Sequence, residues 1–177
     1  MNITEEFQTD PNSIYTKKGV PLGIEKFGPV DDDVIKHLER TGREILKAYG
    51  PDKLGYIFTL HNNGDGGFGI SSYLKGYELD TAADSVFINF QMDGDDLIFV
   101  TELELFNKLK KANVNTVLQS ENAGDDGSLS IYAMQKKIPY INVEVQHGHV
   151  DENLRLIEIA IKALQEVYPK IKQKATK

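Results

Sequence analysis

The chain has 177 residues, 40% hydrophobic and 27% charged, a balance that suits one soluble globular domain with a sizeable core. Its formal net charge of −7 argues against a nucleic-acid partner, since phosphate binding needs a basic surface. There is no cysteine, so disulfides, thiolate metal sites and cysteine nucleophiles are excluded, and any metal site must draw on His, Asp and Glu.

The first residues, Met1 to Phe7, lack the basic and apolar regions of a signal peptide. No apolar run approaches the roughly 18 residues of a membrane span. The chain therefore reads as cytoplasmic if it is complete, with no membrane partner. Residues 1–30, with Pro11, Pro21 and Pro29 among Gly19, Gly23 and Gly28, predict an irregular lead-in. Asp31-Asp-Asp33 then supplies an N-cap and acidic first turn, and Val34, Ile35, Leu38, Ile45 and Leu46 form a stripe. A helix over 31–49 follows, ended by Gly50-Pro51. Leu54 to Leu60 is a strand, 61–69 a glycine-rich loop, and Ile70 to Leu74 a short strand.

Val86 to Phe90 and Leu97 to Val100 read as strands around the turn Asp93-Gly-Asp-Asp96. Glu102 to Ala112 reads as a helix with Leu103, Phe106 and Leu109 inward. Val114 to Gln119 is a strand, 120–127 a polar loop, and Ser128 caps a helix to Lys136. Ile138 to Val145 is a buried strand. From Asp151 runs a long amphipathic helix with Leu154, Ile157, Ile161, Leu164 and Val167 inward, followed by a basic, frayed tail from Lys170. Alternating helices and buried strands predict an α/β, three-layer fold, with a mixed, mostly parallel sheet and helices on both faces. No repeat or internal linker interrupts it, so 1–177 reads as a single α/β domain.

Two segments share one form. Tyr56-Ile-Phe-Thr-Leu-His61-Asn is an apolar run ending in a histidine before Gly64, Gly66 and Gly67. Ile138-Pro-Tyr-Ile-Asn-Val-Glu144-Val-Gln-His147-Gly-His149 is a second run, with a carboxylate and two imidazoles near its end. Strand ends are where a parallel sheet meets its ligands. His61 reads as a metal ligand or as a surface histidine bonding a loop carbonyl. Alternation puts Tyr140, Asn142, Glu144 and Gln146 on one face of their strand. Glu144 there reads as a general base, or as part of the wet face of an antiparallel edge strand. His147 and His149 could chelate, or cap the helix that follows, or one ring could hydrogen-bond an acid. His37, mid-helix, reads as a surface residue. The acidic turns 93–96 and 124–127 lack the ligand spacing of a calcium loop and read as ordinary turns.

With these residues in view, the chain resembles the zinc carboxypeptidase and zinc amidohydrolase superfamily. Thr59-Leu-His61-Asn is similar to the strand that ends in a metal-binding histidine, and Tyr140-Ile-Asn-Val-Glu144 to the later strand carrying the catalytic glutamate. Asp10-Pro-Asn-Ser-Ile-Tyr15 resembles the Asp-x-Asn-Arg-x-aromatic element that precedes that histidine. Ser13 stands where the element has arginine, which in the family grips a substrate carboxylate. The family's His-x-x-Glu ligand pair has no counterpart among the nine residues before Asp10. The resemblance implies a carboxypeptidase-like fold and metal-dependent hydrolysis of an amide or peptide bond. Zinc would be the cofactor, held partly by His61. Glu144 would be catalytic, and Asn12 and Asn62 would bind a small-molecule or peptide substrate. His147, His149 or Asp65 could complete the ligand set, or the chain is the C-terminal portion of a longer enzyme. The alternatives are a non-catalytic binding or scaffold protein that has lost the metal site, and a glycine-loop domain for phosphate or sugar.

Overall fold

The computed structural model describes residues 7–170. Five strands, β1 (Ile57–Asn63), β2 (Ala83–Phe87), β3 (Leu97–Val100), β4 (Thr116–Gln119) and β5 (Tyr140–Gln146), form one sheet in the order β1-β5-β3-β4-β2. β1 pairs β5 and β3 pairs β4 in parallel, whereas β3 pairs β5 and β2 pairs β4 antiparallel. The fold is thus mixed α/β, but the sheet is not mostly parallel. The cause lies in the connections. Only β3 and β4, joined directly through helix α4 (Leu103–Lys111), are consecutive strands linked by a crossover. The turn before Leu97 starts β3 beside the end of β5, with Leu97 opposite Glu144, so β3 must run the other way.

One face of the sheet packs Ile98, Val100, Ile141, Val143 and Val145 against α4 and the long α6 (Val150–Val167). Two expected inward residues are corrected here. Leu103 is 59% exposed and Leu154 is 58% exposed, while Leu105 and Leu156 are fully buried. The buried stripes run 105, 106, 109 and 156, 160, 163, 164, the i, i+1, i+4 and i, i+4, i+7, i+8 spacings of a helix face. The opposite face carries Ile57, Leu97, Phe99, Val117 and Tyr140 under α5 (Leu129–Lys136) and Ile70. Helices therefore cover both faces.

Local signals set most helix ends. The Asp31 carboxylate accepts from the backbone N–H groups of Asp33 and Val34 to start α2 (Asp32–Tyr49), and Gly50 ends it at φ 68°. Pro51 to Leu54 continues as the short helix α3, so β1 begins later than Leu54 and runs on through His61 to Asn63. Ile70–Tyr73 is a 3-10 turn and not a strand. The lead-in is more ordered than its prolines suggest. It holds a 3-10 turn at Pro11–Ser13 and helix α1 (Gly19–Glu25), in which Pro21 falls near the start, where no intrahelical donor is lost. The basic tail expected to fray lies, from residue 171 on, outside the described residues.

The lead-in is fastened over the sheet by close backbone contact. Tyr15 N–H donates to Gly127 O at 2.9 Å, and Thr16 Oγ1 donates to Asp125 Oδ1 at 2.5 Å. Gly127 has φ 87°, and a Cβ there would lie 2.4 Å from Ser13 O, so both its backbone angle and its space require glycine. This contact brings Asn12 to the edge of the site. Among the described residues no helix is long and apolar enough to cross a membrane.

Candidate functional site

Parallel pairing of β1 with β5 sets His61 directly opposite Glu144. Both lie on the face away from α4 and α6, because residues of one parity share a face. His61 Nδ1 is 3.5 Å from Glu144 Oε2, and the side chains are 35% and 8% exposed. Asn142, two residues before Glu144, donates from Nδ2 to the same Oε2 at 3.1 Å and lies 3.4 Å from His61 Nδ1. Thr59 Oγ1 is 2.9 Å from Tyr140 Oη and 3.0 Å from Asn142 Oδ1. One polar ladder therefore crosses the two strands. β5 is an inner strand with a partner on each side, so the edge-strand explanation for Glu144 does not apply.

The ladder forms the floor of a cavity of about 220 Å³. Its polar walls include Asn12, His61, Asn142, Glu144, Gln119 and Asp126, with Ser128 and Ser130 from the start of α5. Phe68, Tyr73, Phe99 and Tyr140 add aromatic surface, with Tyr73 set 5.8 Å from Phe68 and 5.6 Å from Phe99 between ring centres. Burial pushes the Tyr73 and Tyr140 hydroxyls well above their ordinary value, and the Glu144 charge adds to it; the Thr59 hydrogen bond partly offsets the shift at Tyr140. Both stay protonated donors at neutral pH. The cavity lies over the sheet face, from Glu144 across to the end of β4, and not beyond the strand ends.

His61, Glu144 and Asn12 thus come together. Asn62, of the opposite parity, is not a wall of the cavity; its Nδ2 donates to Val145 O at 3.3 Å. Asp65 is exposed in the glycine loop, and His147 is exposed past β5. His149 pairs instead with Asp96, Nδ1 to Oδ2 at 3.0 Å, at a separate point. His37 is exposed on α2. Gln119, Tyr73 and Asp126 had no role assigned from sequence. Gln119 carried a signal, a polar residue closing an apolar strand, but Asp126 stood in an acidic Gly-rich stretch that reads as an ordinary turn.

Catalytic zinc takes three protein ligands and keeps one position open. The cavity brings one imidazole and the Glu144 carboxylate within reach of each other. Among the described residues no group of three or more His, Asp or Glu side chains is arranged to hold a metal ion. The residues present do not by themselves make up a zinc centre. A larger groove of about 620 Å³ runs between the lead-in, α2 and α5, but its ionic walls are chiefly lysine and arginine, and it holds no imidazole–carboxylate pair. The imidazole–carboxylate pair of His61 and Glu144 lies in the smaller cavity. No family model, curated protein or solved structure matches the chain.

Proposed function

We propose that the smaller cavity is the active site of an amide or peptide hydrolase in which Glu144 is the general base. The observation behind this reading is a buried carboxylate set beside an imidazole in a concave, partly aromatic site. Glu144 takes a proton from the attacking water and passes it to the leaving amine. Asn142 fixes the carboxylate through Oε2, and Asn12 at the cavity edge offers an amide to the scissile group. Metal dependence, which the likeness to zinc carboxypeptidases implies, requires at least two ligands beyond His61. His61 is the imidazole this chain would contribute. No step above is routed through a metal.

A second reading is a non-catalytic binding or scaffold protein on the same sheet. The short donor set favours it, and so does Ser13, which is 4% exposed and too enclosed to be replaced by a substrate-gripping arginine without rearrangement. Turnover of a panel of peptides and N-acyl amides separates the two, together with zinc per chain in wild type and His61→Ala. The hydrolase reading expects Glu144→Gln to cut turnover by about 10²–10⁴-fold. If metal dependence holds as well, His61→Ala lowers bound zinc. Turnover unchanged in Glu144→Gln rejects the hydrolase reading. Absent turnover with equal, negligible zinc in both proteins leaves the binding reading.

A further inference from the structure

Gln119 closes β4 and is 3% exposed. Its Nε2 lies 3.3 Å from Met134 Sδ; a thioether only accepts, so the amide nitrogen faces the sulfur. Oε1 is then buried without a hydrogen-bond partner, in a side chain that walls the cavity. An unpaired buried acceptor is a penalty that a donor from a ligand would remove. The same cavity holds two carboxylates, buried Glu144 and exposed Asp126, and neither lysine nor arginine among its walls.

Some features favour the opposite charge: the Tyr73 and Tyr140 hydroxyls, the Asn12 amide and the His61 imidazole can donate, but none of them is a lysine or arginine. The first turn of α5 lines the cavity, and a helix N-terminus attracts anions. That end is already answered, because Ser128 Oγ accepts from Ile131 N–H, and Asp126 Oδ1 accepts from Ser128 N–H at 2.9 Å.

We propose that the cavity selects ligands bearing a protonated amine and rejects those bearing a free carboxylate. Glu144, Asp126 and Gln119 Oε1 supply the acceptors, and Tyr73, Phe99 and Tyr140 add aromatic surface that attracts a cation. The inference rests on the reading of this cavity as the substrate site, and it names the charge class that the site takes.

The test is equilibrium binding to the full chain, followed by amide chemical shifts at pH 7.5. Benzylamine, benzyl alcohol and benzoate serve as probes of one size and differing charge. Benzylamine saturates, binds at least about tenfold tighter than benzyl alcohol, and benzoate gives no saturable shift. Gln119→Leu and Asp126→Asn each shrink the amine's lead over the alcohol by about threefold or more. Asp126 is exposed, so its variant carries the comparison if Gln119→Leu does not fold. Benzoate binding as tightly as benzylamine, an unchanged lead in the folded variants, or no saturable benzylamine binding overturns the proposal. No turnover or metal enters these measurements. Amine binding without hydrolysis sinks only the hydrolase reading, whereas hydrolysis confined to carboxylate-ended substrates sinks only the charge preference.

Discussion

Asn142 is the residue on which the site's geometry turns. It is 8% exposed, its Oδ1 lies 3.0 Å from Thr59 Oγ1, and its Nδ2 donates to Glu144 Oε2. Asn142→Leu keeps the branched shape but leaves a buried carboxylate without that donor. The expected loss is about 1–3 kcal/mol of unfolding free energy in urea, the usual result of orphaning a buried polar group. In Glu144→Gln the partner is no longer a charge, so adding Asn142→Leu should cost less there than in wild type. Strict additivity would show that the two side chains are not coupled. The face that Asn142 shares with Tyr140 and Glu144 was legible from alternation alone. The neighbour was not: His61 meets Glu144 only because β1 pairs β5 in that register, and a register between distant segments leaves no local trace in either.

At the scale of the element, α2 shows both what local sequence specifies and what it omits. Its cap, acidic first turn and terminal glycine mark both ends within a residue. Its apolar stripe says less about packing: Ile45 is 43% exposed, and the buried residue is Gly42. A Cβ on Gly42 would lie 2.2 Å from Ile14 O, so the helix sits against the backbone of the lead-in. Two effects of Gly42→Ala oppose each other. Helix propensity favours alanine by about 1 kcal/mol. Overpacking costs about 1–3 kcal/mol, and here the contact is backbone, which cannot swing aside. The net expectation is a lower denaturation midpoint. Gly28→Ala is the control, since nothing lies within 4 Å of a Cβ there, and its midpoint should barely move. A Gly42→Ala protein more stable than wild type would mean that the lead-in yields easily. In that case Asn12, carried on the same segment, is not held at the cavity edge. Other elements were lost at sequence level for similar reasons. The short α3 and the 3-10 turn at Ile70–Tyr73 span single turns, too few residues for a periodic signal.

For the whole molecule, the feature least legible in sequence is strand direction, and one ion pair sits where the antiparallel strand enters. Asp96 precedes β3, is 2% exposed, and accepts from Gln146 N–H at 2.8 Å and pairs with His149 Nδ1 at 3.0 Å. It therefore ties the start of β3 to the end of β5 and the start of α6. The hydrogen bond that His149 donates to the Asp96 carboxylate holds the imidazole above its ordinary value; the charges of Asp96, Asp93 and Glu152 act in the same direction, and desolvation opposes them. An imidazole in the unfolded chain titrates near about 6.5. A group whose value is raised by folding stabilises the fold fully below its unfolded value, and that contribution fades as pH rises through the folded one. The melting temperature of wild type should therefore exceed that of His149→Gln at about pH 6 and converge on it toward about pH 9. Asp96→Asn, which removes the charge but keeps an acceptor for Gln146 N–H, should flatten the same profile. A gap that stays constant or widens with pH would show that the pair contributes packing and not charge. The three segments meeting at Asp96 would then be held together by the antiparallel pairing of β3 with β5 and by the two cores on either side.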